Sequence, residues 1–321
     1  MKIAILCNDK LAIPAVSQLA AARIVSAVAM PVMSLEARQV LQQVCAQHGV
    51  PFYDLTKESL EANLSEMLLQ HRPDLVLVKT FPWKIPHSLL SIPRYGFVNF
   101  HYAPLPQWAG ANPLFWMIRN GATEAGLSVH QMTEAIDCGP LLMQHRFPME
   151  GSITYGMLAT RLAMLGAQLT PVFLQQLLSG QCRPVQMEKA QMQWYPRPSA
   201  SDVVIDWQLM EAIVVERLVR ACNPWNRGAA ASFKGWSFGI TDGFASVSQP
   251  VSGTSVPGTI TGISDKALHI ACKGGTVFHC NIIYTEEGFY TGDKLTLFGI
   301  KAGDVLHSER RSTSMQPTNV L

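Results

Sequence analysis

The chain has 321 residues, 48% of them hydrophobic and 15% charged, with a net charge of +2 at pH 7. That is enough apolar material for a sizeable core, and the length suits two domains better than one. The balance excludes a disordered chain and a strongly basic nucleic-acid binder. Residues 200–321 hold ten basic and eleven acidic side chains, a net −1, against fifteen and twelve, +3, in the rest. Neither part is a trap for a phosphate backbone. The cysteines, at Cys7, Cys45, Cys138, Cys182, Cys222, Cys272 and Cys280, are odd in number and form no CxxC. That pattern speaks against a disulfide framework or a zinc site and for reduced thiols in a cytoplasmic setting. The opening "MKIAILCNDKLAIP" is broken by Asn8, Asp9 and Lys10 too early for a signal-peptide core. No uncharged apolar stretch is long enough to span a bilayer, so no membrane partner is expected.

In chain order, "KIAILC" (2–7) reads as a buried strand, a short apolar run rich in β-formers. "AIPAVSQLAAA" follows with the helical spacing of Ile13, Val16, Leu19 and Ala20. "RIVSAVAM" is a second strand. "SLEARQVLQQVCAQHG" is a helix that Ser34 caps and Gly49 ends. Residues 59–71 make another helix, "DLVLVKTF" a third strand and "GFVNFH" a fourth. Strands alternating with helices predict a Rossmann-like, mostly parallel sheet with helices on both faces. The dinucleotide fingerprint is missing, because "NDKLAIP" after the first strand contains no G-x-G-x-x-G. "LSVHQM" (127–132) reads as a strand, "TEAIDCGP" as a loop, and 154–180 as a long amphipathic helix ending at Gly180. "WYPRPSASDVVIDW" has the content of a linker, and "MEAIVVERLVRAC" is one more helix. Beyond Gly228, short β-like runs separated by Gly and Asp turns, down to "KLTLFG" (294–299), predict a small, barrel-like β domain. The boundary falls near residue 200, which divides the chain into 1–190, a linker over 191–205, and 206–321.

"NFHYAPLPQWAGANP" (99–113) carries the chemistry. In an open parallel sheet, ligands bind beyond the carboxyl ends of the strands. Asn99 and His101 sit at such an end, and residues i and i+2 of a strand face one side. Pro104, Pro106 and Gly110 then impose an irregular loop that walls the crevice. "AIDCGP" offers Asp137 in another Gly/Pro-punctuated loop. An amide, an imidazole and a carboxylate suit acyl transfer to an amine. Asn99 donates to a developing oxyanion, His101 moves the proton of the amine, and Asp137 orients the imidazole and stabilises its cation. No Ser or Cys is placed as a covalent nucleophile. His130 has apolar neighbours and reads first as a structural histidine, with a supporting role behind the site as the alternative. Cys138 reads as a small packed residue. His279 and Cys280 point to opposite faces of a strand and make no metal pair. Phe81 and Trp83 suit either the core or an apolar ligand wall. Trp108 and Trp116 suit either the core or an acceptor ring.

"VNFHYAPLPQWAGANP" followed by "VHQMTEAIDCGPLL" resembles the signature of the methionyl-tRNA formyltransferase family, N-x-H-x-S-L-L-P-x-x-x-G-x-x-P and then D-x-G. Asn99, His101, Pro106, Gly110, Pro113, Asp137 and Gly139 match in order and spacing. "KTFPWKIP" (79–86), "VRACNPWNRGA" (219–229) and "PGTITGISDKALHIACKGG" (257–275) extend the resemblance over nearly the whole chain. It implies a formyltransferase fold with a C-terminal OB-like β-barrel, and a one-carbon transfer from 10-formyltetrahydrofolate without a metal. It puts Asn99, His101 and Asp137 in the catalytic positions. It also puts Phe81, Trp83, Ile85, Pro86, Leu105, Pro106, Thr133, Ala135, Ile136 and Gly139 at the folate.

Two departures shape the expected acceptor. The family's Ser and Leu are Ala103 and Pro104 here, which alters the loop and leaves the trio intact. Members specific for tRNA carry a long basic insertion after the second strand, whereas "MPVMSLEARQ" (30–39) is short and has Arg38 as its sole basic residue. With the slightly acidic C-terminal part, this predicts a small-molecule amine as acceptor (an amino-sugar nucleotide, an amino acid, or a peptide or siderophore precursor) and no tRNA partner. A methionyl-tRNA acceptor is the alternative. A formyl-folate hydrolase, in which water replaces the amine, is another, set back because the first strand begins at once where hydrolases carry an N-terminal regulatory domain. A monomer or a homodimer is expected.

Overall fold

The computed structural model describes residues 1–33, 35–246, 255–264 and 266–308. The predicted cap Ser34 lies outside them. In chain order come β1 (Ile3–Cys7), α1 (Ile13–Ala21), β2 (Val25–Pro31), α2 (Leu35–His48), β3 (Phe52–Leu55), α3 (Leu60–His71), β4 (Leu75–Lys79), the one-turn α4 (His87–Leu90) and β5 (Phe97–His101). Next are β6 (Ala109–Gly110), α5 (Pro113–Arg119), β7 (Glu124–Gln131), β8 (Leu141–Pro148) and α6 (Tyr155–Leu178). These give a seven-stranded sheet in the order β3-β2-β1-β4-β5-β7-β8. β1 to β5 are mutually parallel, and β7 and β8 run antiparallel at one edge. Every residue of β1 and β4 is buried. Along β1, Ile3, Ile5 and Cys7 join one core and Ala4 and Leu6 the other. Continuous apolar runs of this kind mark parallel strands covered on both faces.

The β3 and β8 strands had no counterpart in the sequence reading. β3 is four residues long, and β8, "LLMQHRFP", is an edge strand with only Phe147 fully buried. Helix α6 is long and apolar enough to cross a membrane by length and composition alone, but it carries Arg161 and so is not the uncharged stretch whose absence was expected. Half of its apolar window is buried, and it packs against α1 and the sheet. Phe173, for instance, meets Phe100 edge-to-face at 5.8 Å.

The chain continues through β9 (Trp194–Tyr195), which pairs in parallel with β6, to α7 (Ala212–Ala221). A second sheet follows: β10 (Ala229–Phe233), β11 (Trp236–Ala245), β12 (Ile260–Ser264), β13 (Ala267–Ala271), β14 (Val277–Thr285) and β15 (Gly288–Thr291). Its strands are antiparallel in the order β10-β11-β14-β13-β12, with β15 also on β14. The expected strand "KLTLFG" is instead a 3-10 turn over Gly292–Phe298, ended by Gly299 at φ 79°. Alternation of apolar and polar residues over so few positions does not separate the two periods. One continuous hydrophobic cluster runs from the first sheet through α5 and α7 into the second.

Candidate active site

A cavity of about 510 Å³ opens over the carboxyl ends of the adjacent strands β1, β4 and β5, between the loops 80–86 and 132–137. This is the position at which an open parallel sheet binds its ligand. Asn99 and His101 both line it. The antiparallel register sets His130 opposite Asn99 and Ser128 opposite His101. All four side chains therefore share one face of the sheet.

His101 is 7% exposed, and its Nε2 lies 2.6 Å from the carbonyl oxygen of Trp108. A carbonyl only accepts, so Nε2 carries a proton. Nδ1 is left facing Asp137 Oδ2 at 3.8 Å. A second proton arriving at Nδ1 would thus be met by a carboxylate. Asp137 adopts φ 52°, a left-handed conformation that Asp tolerates better than most residues. The Gly110 N–H donates to its Oδ2 at 2.9 Å, and His130 Nε2 lies 3.5 Å from its Oδ1. Burial pushes the Asp137 carboxyl up, but the charge of His101, the hydrogen bond and charge of His130, and the Gly110 N–H outweigh it and hold the group down at about 2. It is ionised at neutral pH.

His130 does more than the sequence suggested. Its Nδ1 sits 3.1 Å from the Gln131 carbonyl and donates to it. In the neutral ring Nε2 then accepts from Asn99 Nδ2 at 3.1 Å, and on protonation it turns donor toward Asp137. This fixes the orientation of the Asn99 amide and commits one of its two N–H groups. The signal that could have found His130 was the strand period: alternation along "SVHQ" puts His130 on the face opposite Val129. Asp9 was missed as well. It lines the cavity with Asn8 at the carboxyl end of β1, where the sequence offered two polar residues directly after a buried strand.

The expected folate positions divide. Phe81, Trp83 and Ile85 from one loop, and Thr133, Ala135 and Ile136 from the other, line the cavity, with Phe81 and Trp83 edge-to-face at 5.6 Å. Pro86, Leu105, Pro106 and Gly139 lie outside its lining. Pro86 precedes α4 and accepts the Leu89 N–H. Leu105 is buried, its N–H donating to Ser128 Oγ and its carbonyl accepting from Gln144 Nε2. Pro106 accepts the Gln193 N–H. At Gly139 a Cβ would lie 1.8 Å from the Gln131 carbonyl oxygen, so this glycine serves a close backbone approach. Trp108 stacks on Tyr195, and Trp116 donates to the Pro196 carbonyl. Both hold the 194–196 segment and neither lines the cavity.

The formyl transferase family matches residues 2–174, and that family's C-terminal domain matches 198–283. The chain belongs to the formyl transferase family. Among its relatives is a methionyl-tRNA formyltransferase from Aromatoleum aromaticum, 36% identical over 235 residues, 72% of this chain and 71% of that one. Another, from Citrifermentans bemidjiense, is 29% identical over 275 residues, 85% of this chain and 83% of the relative. The structure of HypX from Aquifex aeolicus in complex with tetrahydrofolic acid shares the fold at a TM-score of 0.62 and 17% identity. The match covers 92% of this chain and 47% of that one, so this chain spans about half its length.

These relatives overturn the expectation of a small-molecule acceptor and of no tRNA partner. That expectation rested on the short 30–39 segment and on a charge averaged over the last third of the chain. Affinity for a phosphate backbone depends on where cations sit, not on a regional sum. Arg38 is taken up in a bidentate pair with Asp54, whereas Lys84 and Arg197 line the cavity itself.

Proposed function

We propose that this protein is a methionyl-tRNA formyltransferase, moving a formyl group from 10-formyltetrahydrofolate to the amino group of methionyl-tRNA. The observation that carries the reading is the meeting of Asn99, His101 and Asp137 on one cavity, in a chain whose relatives bear that name. The cavity suits the donor: an apolar, aromatic wall with a few convergent polar groups is the usual make-up of a site for a flat organic cofactor. Phe81, Trp83 and Ile85 would hold the ring system from one side, and Thr133, Ala135 and Ile136 from the other. When bound, the donor supplies a formyl group carried on nitrogen.

Each side chain then has one task. The remaining N–H of Asn99 stabilises negative charge that develops on the formyl oxygen. His101 takes the proton of the attacking nitrogen at Nδ1. Asp137 stays ionised and favours the imidazolium that results. His130, as the neutral ring, keeps the Asn99 amide aimed. Cys138 lies outside the cavity lining and burial pushes its thiol up, so direct attack by the amine needs no covalent intermediate. We further read the chain as a catalytic unit over 1–190, a linker over 191–205 and an OB-like unit over 206–321, acting in the cytoplasm.

The test is to incubate the protein with 10-formyltetrahydrofolate and methionyl-tRNA and to follow formylmethionyl-tRNA together with released tetrahydrofolate. Stoichiometric appearance of both is expected. Donor consumption without a formylated tRNA would reject the proposed acceptor.

A further inference from the structure

The cavity holds a second carboxylate that the trio does not use. Asp9 follows β1, lines the cavity and is 8% exposed. Its Oδ1 accepts the Leu11 N–H at 2.9 Å, and the Thr80 hydroxyl, which donates to the Lys79 carbonyl, lies beside it. Those contacts leave unused much of an ionised carboxylate's capacity, which is roughly four lone-pair sites. Among the described residues no Lys, Arg or His comes within ion-pair distance of it. The cation on the neighbouring strand, Lys79, is turned elsewhere: its Nζ donates to Thr170 Oγ1 at 3.0 Å and lies 3.5 Å from the centre of the Phe100 ring. A carboxylate nine-tenths buried without a cationic partner is expensive.

The surroundings indicate what completes it. Thr80, beside Asp9 at the end of β4, has φ 60°. A β-branched residue in that region is a genuine outlier, and such strain gathers at ligand sites. Burial pushes up the pKa of Tyr102 and Tyr155, which also line the cavity, and the nearby Asp9 charge adds to it. Asp9 follows β1, a strand that lies two spacings, roughly 10 Å, from β5 with its Asn99 and His101. Asp9 adjoins Thr80 at the root of the loop that carries Trp83, and it is also near Tyr155, which stacks on Trp225 of the C-terminal part.

We propose that Asp9 is the acceptor-side carboxylate of this site, receiving the acceptor's ammonium group and taking the proton that the nitrogen must lose before it attacks. The step is a proton transfer: one N–H bond breaks, one O–H bond forms on the carboxyl group, and the nitrogen keeps the electron pair. Burial, with Thr80 and the Leu11 N–H only partly opposing it, pushes the Asp9 carboxyl up to about 7, so it can hold a proton at neutral pH. Asp137, clamped at about 2, cannot. Two carboxyl groups whose surroundings drive them apart are a common way to divide acid and base work.

This assignment rests on the amine-acceptor reading above, and the test separates the two. Binding of L-methionine ethyl ester and of its desamino counterpart, ethyl 4-(methylthio)butanoate, is measured calorimetrically on tetrahydrofolate-loaded protein. Wild type should prefer the amine by about tenfold or more, the scale of one charge-assisted contact. Asp9→Asn keeps an oxygen for the Leu11 N–H and should bind tetrahydrofolate unchanged while losing the preference. Asp9→Ser, which also caps, should behave alike. An undiminished preference in both variants, or none in wild type, overturns the assignment. If methionyl-tRNA is not formylated but the ester preference still vanishes in the variants, the acceptor reading falls and the role of Asp9 stands.

Discussion

Asp137 shows how much of this site one residue carries. Its left-handed backbone aims a carboxylate between His101 and His130, and the Gly110 N–H locks it there. Its folded pKa of about 2 lies below the ordinary 3.8, so the unfolded chain binds the proton more readily in that window. The stabilisation is therefore complete above about pH 4 and is lost as the pH falls toward 2, a difference of roughly 2 kcal/mol. Asp137→Asn should flatten this part of the stability–pH curve, measured by urea unfolding between pH 2 and 5. A curve that keeps the wild-type slope would show that the carboxylate is not held by these partners. Asn99, His101 and Asp137 were legible because a fixed-spacing motif names them. His130 was legible only in part: the strand period gives its face, but its pairing with Asn99 depends on an antiparallel register that no local pattern encodes. Asp9 was hidden because its apolar surroundings arrive from β4, α6 and the loop after β5, all distant in sequence.

At the scale of elements, the site depends on two short strands that propensity alone would not predict. β6, Ala109–Gly110, pairs with β9, Trp194–Tyr195, and ties the segment after α6 to the loop that anchors Asp137. Gly110 has φ 99°, and a Cβ there would lie 2.1 Å from the Tyr195 carbonyl oxygen. Gly110→Ala should cost about 1–3 kcal/mol through strain and the lost pairing. It should also weaken the hydrogen bond to Asp137, so turnover should fall with stability. Thermal melting alongside activity checks this, and a stable, fully active variant would refute it. Ser128 is the matching staple on β7: its hydroxyl donates to the Ala103 carbonyl and accepts from the Leu105 N–H and Gln144 Nε2. The buried parallel strands could be read from unbroken apolar runs, while β8 could not, because an edge strand exposes its polar face.

At the scale of the molecule, the continuous core joins the sheet that carries the site to the antiparallel sheet beyond Ala229. Trp225, just after α7, lines the cavity and packs on Phe115 and Tyr155, so the C-terminal part borders the cavity. A tRNA acceptor displaces counterions, and kcat/KM for methionyl-tRNA should fall at least about tenfold between 50 and 200 mM salt. A flat salt profile would argue against phosphate contacts. The account turns on the imidazole of His101, and its most direct test is single-turnover formyl transfer by His101→Ala with tetrahydrofolate affinity measured in parallel. Loss of a general acid–base group predicts a rate about 10²-fold lower or worse with the affinity unchanged. A variant that transfers formyl at the wild-type rate would contradict it.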